Sequence, residues 1–114
     1  MKIGESYMTA MNLEEMAKHA DEAIQLLKAL SNRSRLLVLC ILSEGEMSVG
    51  ELLERVPLSQ SALSQHLAVL RRDELVATRR KAQAVFYSLK NENAARVVSL
   101  LHKIYCAPTK NPVK

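Results

Sequence analysis

The chain has 114 residues, with 16 Lys and Arg against 12 Asp and Glu, a net charge of +4 and a pI near 9.3. That length fits one domain, and 48% hydrophobic residues suffice for a small core, aliphatic because there are only three Tyr, one Phe and no Trp. No apolar run approaches the roughly 20 residues of a membrane span, and the positive excess is a mild rather than a strong bias toward polyanionic partners.

Residues 1–11 read as a flexible arm without the hydrophobic region of a signal peptide, so a cytoplasmic location is expected. Asn12-Leu-Glu-Glu15 has the capping-box pattern, and Leu13, Met16, Ala20, Ala23, Ile24, Leu27 and Leu30 form one long helical stripe. Such a stripe suits either core packing or half of a dimer interface. Ser31-Asn32 caps a second helix over Arg33 to Ser43, whose interior Leu36-Leu-Val-Leu-Cys-Ile-Leu42 is apolar nearly all round and therefore central. Gly45 is placed to close it with a positive φ. Arg33 and Arg35 oppose the helix dipole in its first turn, which leaves a phosphate or a carboxylate of the same chain as their partner.

Ser48-Val-Gly-Glu51 is a second capping box, opening a short helix through Leu52, Leu53 and Arg55 that Pro57 ends. Ser59 then caps a helix reaching Arg72, buried along Ala62, Leu63, Leu67, Val69 and Leu70. Its other face carries Gln60, Ser61, Ser64 and Gln65, with His66 beside them and Arg71 near the end. Uncharged amides and hydroxyls at the start of a helix suit the reading of base edges in a major groove. They would equally solvate an exposed face, but two short helices joined so tightly form a helix-turn-helix pattern. Leu75 to Leu89 follows as two alternating runs flanking Arg80-Lys81-Ala82-Gln83, a β-hairpin with a basic tip. Arg79, Arg80 and Lys81 on such a wing are candidates to hold phosphate. Asn91 caps a last helix with the stripe Ala94, Val97, Val98, Leu101, Ile104 and Tyr105, ending near Cys106, and residues 107–114 read as a flexible tail.

The pattern is mainly α with a small β-hairpin: a winged helix-turn-helix of five helices plus a two-stranded wing. Residues 12–106 are expected to form one DNA-binding and dimerisation domain. His19, His66 and His102 are scattered and suit surface or packing roles better than a four-ligand zinc site, so no metal or cofactor is expected. Cys40 and Cys106 are 106 − 40 = 66 positions apart. In a reducing compartment they are reactive or buried thiols rather than a staple. A dithiol enzyme is disfavoured, since there is no Cys-x-x-Cys and apolar neighbours raise a thiol pKa. A purely protein-binding helical module is disfavoured by the basic wing.

Over about Asn12 to Cys106 the chain resembles the ArsR family of bacterial winged-helix regulators. The resemblance is carried by Leu30-Ser-Asn-Arg-Ser-Arg-Leu36, Ser48-Val-Gly-Glu-Leu52, Leu58-Ser-Gln-Ser-Ala-Leu-Ser-Gln-His-Leu67, Leu70-Arg-Arg-Asp-Glu-Leu-Val76 and Val85-Phe-Tyr-Ser-Leu89. It departs at Glu74, where the family usually has Gly, which leaves the local turn open. Metal sensing, common in the family, would need a thiolate pair that Met47-Ser-Val-Gly-Glu51 lacks, or several ligands on the last helix, which offers only His102. Leu39-Cys-Ile-Leu42 with Leu101-His-Lys-Ile-Tyr-Cys106 instead resembles the dithiol, persulfide-responsive, HlyU-like branch. The resemblance implies a homodimer on double-stranded operator DNA, with Cys40 and Cys106 as redox-sensing residues joined by a disulfide or polysulfide bridge when reactive sulfur species or oxidants act as inducer. A metal-responsive repressor of the same family and a non-sensing DNA-binding regulator are the alternatives.

Overall fold

Side-chain caps set nearly every helix start in the computed structural model, which describes residues 12–106. The arm expected over 1–11 and the tail expected over 107–114 lie outside them. Asn12, Asn32, Ser48, Ser59 and Asn91 each accept a hydrogen bond from the backbone N–H three residues on, at 2.9 to 3.1 Å. At Ser48 the box is reciprocal, because Glu51 accepts in turn from the Ser48 N–H at 2.8 Å. The elements in order are α1 (Leu13–Lys18), α2 (Ala20–Leu30), α3 (Arg33–Leu42), β1 (Met47–Ser48), α4 (Val49–Arg55), α5 (Gln60–Arg72), β2 (Val76–Lys81), β3 (Ala84–Leu89) and α6 (Glu92–Tyr105).

The mainly helical winged fold is as expected, with two corrections of detail. The single first helix is two, because His19 leaves helical geometry at φ −109° and ψ 7° and bonds Glu22 at 2.8 Å. The described residues therefore hold six helices rather than five. The two-stranded wing is present, but it belongs to a larger sheet: Met47 and Ser48 pair antiparallel with Tyr87 and Phe86, giving three strands in the order β1-β3-β2. Gly45, just before this strand, has φ +148°, a backbone region that side chains disfavour.

The core lies where α3 crosses α5 and α6. Leu39, Leu52, Leu63, Leu67, Leu70, Val38, Val76 and Val98 are fully buried, and truncating one of these leucines to Ala would cost about 2–5 kcal/mol. Val98 thus belongs to the monomer core and not to the outward face of α6. That outward face consists of Leu100, Ile104 and Tyr105 on α6, with Leu13, Met16, Ile24 and Leu27 exposed on α1 and α2. No described helix is long and apolar enough to cross a membrane.

Candidate nucleic-acid interface and dithiol site

The rotation of α5 is fixed by Leu63, Leu67 and Leu70, none more than 1% exposed. With that stripe inward, Gln60, Ser61, Ser64 and Gln65 are exposed on the opposite face of the first two turns, Arg71 is exposed in the last, and His66 is half-buried on the flank. The amino end of a helix also presents unpaired N–H groups and partial positive charge, which favour an approaching phosphate. The turn from α4 is tight, with Leu58 N–H bonding the Val56 carbonyl at 2.9 Å. Such a turn fixes the angle between the two helices.

The wing is built by six antiparallel pairs from Val76↔Leu89 to Lys81↔Ala84. The connecting residues are only Ala82 and Gln83, so Arg80 and Lys81 belong to the strand rather than to the loop. Ala82 has φ 56°, the positive value a two-residue hairpin commonly assigns to Gly at its first turn position. Arg80 and Lys81 are exposed. Arg79 has a partner that the sequence did not reveal: its Nε and Nη2 donate to the two carboxylate oxygens of Glu46 at 2.7 and 2.8 Å. A phosphate reaching Arg79 would have to share or displace that carboxylate.

Arg35 also resolves differently from either expectation. Its Nε donates to the Ala29 carbonyl at 2.9 Å and its Nη2 to the Lys28 carbonyl at 3.2 Å. The guanidinium therefore satisfies the open carbonyl end of α2, where a cation is favoured, and neither a phosphate nor a carboxylate is needed. Arg33 is exposed. Gln25 on α2 was likewise unmarked by any pattern. It donates to Asp73, the residue that caps the carboxyl end of α5, at 3.1 Å.

The two thiols are brought into one neighbourhood by the packing of α6 against α3. Cys40 is half-buried and Cys106 is exposed as the residue capping α6, both unbridged. Burial pushes the Cys40 thiol up from its ordinary value, and the nearby Cys106 adds to the rise by like-charge repulsion between thiolates. Cys40 opens on a cleft whose walls include Leu37, Ile41, Ala95, Ser99 and His102. Glu44 and Arg55 form a two-pronged ion pair at its rim, at 2.7 and 3.2 Å, and the bond from Arg55 holds the Glu44 carboxyl below the usual range. Among the described residues no group of three or more His, Cys, Asp or Glu is placed to hold a metal ion.

A polar helix face and a basic hairpin carried on one helical core make this a winged-helix DNA-binding protein. The model of the bacterial regulatory protein arsR family matches residues 32–78, and the chain belongs to that family. It is 56% identical over 96 residues to the transcriptional activator HlyU of Vibrio cholerae, covering 84% of this chain and 89% of that one. It is 46% identical over 100 residues to the biofilm growth-associated repressor of Xylella fastidiosa, covering 88% of each. Among solved structures, reduced HlyU from Vibrio cholerae superposes with TM-score 0.78 at 55% identity, over 82% of this chain and 98% of that one. The BigR repressor of Xylella fastidiosa gives 0.79 at 46% identity, over 84% and 98%. The chain is thus a DNA-binding transcriptional regulator of the HlyU and BigR type, and not an enzyme.

Proposed function

We propose that this regulator binds operator DNA as a homodimer and that joining Cys40 to Cys106 within one chain weakens the binding. The observation that carries the switch is the packing of α3, which bears Cys40, against α6, which Cys106 caps, since only neighbouring thiols can bridge without refolding the chain. The dimer reading rests on the exposed Leu13, Met16, Ile24, Leu27, Leu100, Ile104 and Tyr105, an apolar set larger than scattered surface residues explain. In this reading residues 12–106 are one DNA-binding and dimerisation domain acting in the cytoplasm.

Gln60, Ser61, Ser64 and Gln65 read base edges, with His66 and Arg71 on the flanks, while Arg80 and Lys81 hold phosphates. Cys106, the more exposed thiol, meets the inducer. With a persulfide RSSH, the outer sulfur passes to Cys106 and RSH leaves. The Cys40 thiolate then attacks the Cys106 sulfur, a disulfide forms and HS⁻ departs, so the dithiol is oxidised and the transferred sulfur reduced. If the bridge alters the presentation of two recognition helices to half-sites about 34 Å apart, affinity falls. A coupling of about 1–3 kcal/mol would change occupancy roughly 5- to 150-fold. The test is mass spectrometry with gel shift after persulfide treatment. The two cysteine peptides of one chain should become linked as DNA is released, and Cys40→Ser and Cys106→Ser should bind DNA yet ignore the inducer. Release of both single variants by persulfide would remove the dithiol switch.

A further inference from the structure

Glu46 and Arg79 meet across the full width of the small sheet. Glu46 immediately precedes β1, Arg79 lies on β2, and β3 runs between them. Neighbouring strands lie about 4.8 Å apart, so the side-chain pair spans roughly 10 Å of sheet. Both carboxylate oxygens are engaged, at 2.7 and 2.8 Å, in the two-pronged arrangement that orients a guanidinium most firmly. One face of the guanidinium is engaged as well, since its Cζ lies 5.1 Å from the ring centre of Phe86, its register partner on β3. Hydrogen bonding from Arg79, with help from the charge of Lys81, holds the Glu46 carboxyl below the usual carboxylate range. At neutral pH Glu46 therefore stays ionised and cancels one positive charge of the wing.

We infer that Arg79 is a positioning residue rather than a phosphate ligand: Glu46 and Phe86 clamp it to fix the wing against the segment entering the helix-turn-helix, and Glu46 lowers the wing's effective charge toward DNA by one. The wing then faces DNA with Arg80 and Lys81 as its working cations. Neutralising Glu46 frees the charge of Arg79, and removing Arg79 alone leaves the Glu46 carboxylate uncompensated beside Lys81; only neutralising both partners loosens the wing while leaving the count of working charges unchanged. This inference needs only the DNA-binding activity and is independent of the thiols.

The experiment measures fluorescence anisotropy of the full chain on a random-sequence duplex and on an operator selected by the wild type, between 50 and 200 mM salt. The paired neutral variant Glu46→Gln with Arg79→Gln should keep the wild-type salt slope while operator affinity falls about two- to fivefold. Glu46→Gln should steepen the slope by about one unit and tighten random-duplex binding roughly fivefold at 0.15 M salt. The charge swap Glu46→Arg with Arg79→Glu should restore both operator affinity and slope. A slope flattened by about one unit in the paired neutral variant would make Arg79 a phosphate ligand and overturn the inference. An unchanged slope in Glu46→Gln, or unchanged operator affinity in the paired neutral variant, would overturn it as well.

Discussion

The Leu75 N–H donates to the Leu70 carbonyl at 2.9 Å, and the chain between them passes through Glu74 at φ 62°. Glu74 N–H bonds the Arg71 carbonyl at 3.0 Å, completing the paired bonds of a Schellman ending, with Leu70 and Leu75 both buried as its apolar contact. The family's usual Gly at this position is therefore a matter of backbone geometry, and Glu74 adopts the same conformation under strain. Glu74→Gly should stabilise the protein by about 0.5–1 kcal/mol, after allowance for glycine's greater freedom in the unfolded chain. The exposed contact to Lys90 at 3.8 Å is worth little against this. A urea midpoint that falls instead of rising would count against the strain.

Gln65 and Arg80 should separate sequence reading from phosphate holding. Gln65→Ala is expected to cost about 1–3 kcal/mol on the operator and to relax preference at one position. Arg80→Ala should weaken all sequences alike and lower the salt slope by about one unit. Anisotropy on operator and random duplexes tests both, and indistinguishable behaviour of the two variants would refute the division.

Ile104→Glu should split the homodimer, because it places a charge in the exposed apolar face of α6. Light scattering at micromolar concentration should give about twice 12.7 kDa for the wild type and a value near 12.7 kDa for the variant. A monomeric wild type would leave that face without its proposed occupant. Val98→Glu offers no equivalent test, since Val98 is 1% exposed within the monomer and its loss would unfold the chain.

Cys106 should react with iodoacetamide before Cys40 at pH 7.5, read by mass spectrometry of the two peptides. Cys106 is the exposed thiol, and Cys40's thiolate is disfavoured first by burial and then by Cys106. The sign for stability follows from the same rise. Above the unfolded thiol's pKa of about 8.5 the unfolded chain gives up the proton that folded Cys40 retains, so reduced protein should lose stability as pH rises beyond that point. Cys40→Ala should remove this component of the pH dependence, and an identical alkaline loss in the variant would assign it elsewhere.

The helix starts, the buried stripe of α5 and the hairpin were legible because their determinants are local: a cap and its partner lie three residues apart, and strand alternation repeats every two. The partners of Arg35 and Arg79 were not, because Ala29 and Lys28 offer only backbone carbonyls, while Glu46 is 33 positions from Arg79. β1 escaped notice for a similar reason. Two residues, Met47 and Ser48, have no periodicity of their own and become a strand only by pairing with β3. Val98 shows the limit of a helical stripe as evidence, since the same spacing serves core and interface and only the packed chain decides. The break at His19 has no Gly or Pro to mark it. For the thiols, 66 positions of intervening sequence say nothing about distance, and it is the packing of α3 against α6 that supplies their proximity.

The strand order β1-β3-β2 has a mechanical consequence. Because β1 runs directly into α4 and β3 pairs with the wing strand β2, the helix-turn-helix and the wing are welded into one plate by backbone hydrogen bonds. In the proposed thiol switch, a tilt of α6 would therefore act on the whole plate and displace helix face and wing together relative to the DNA axis.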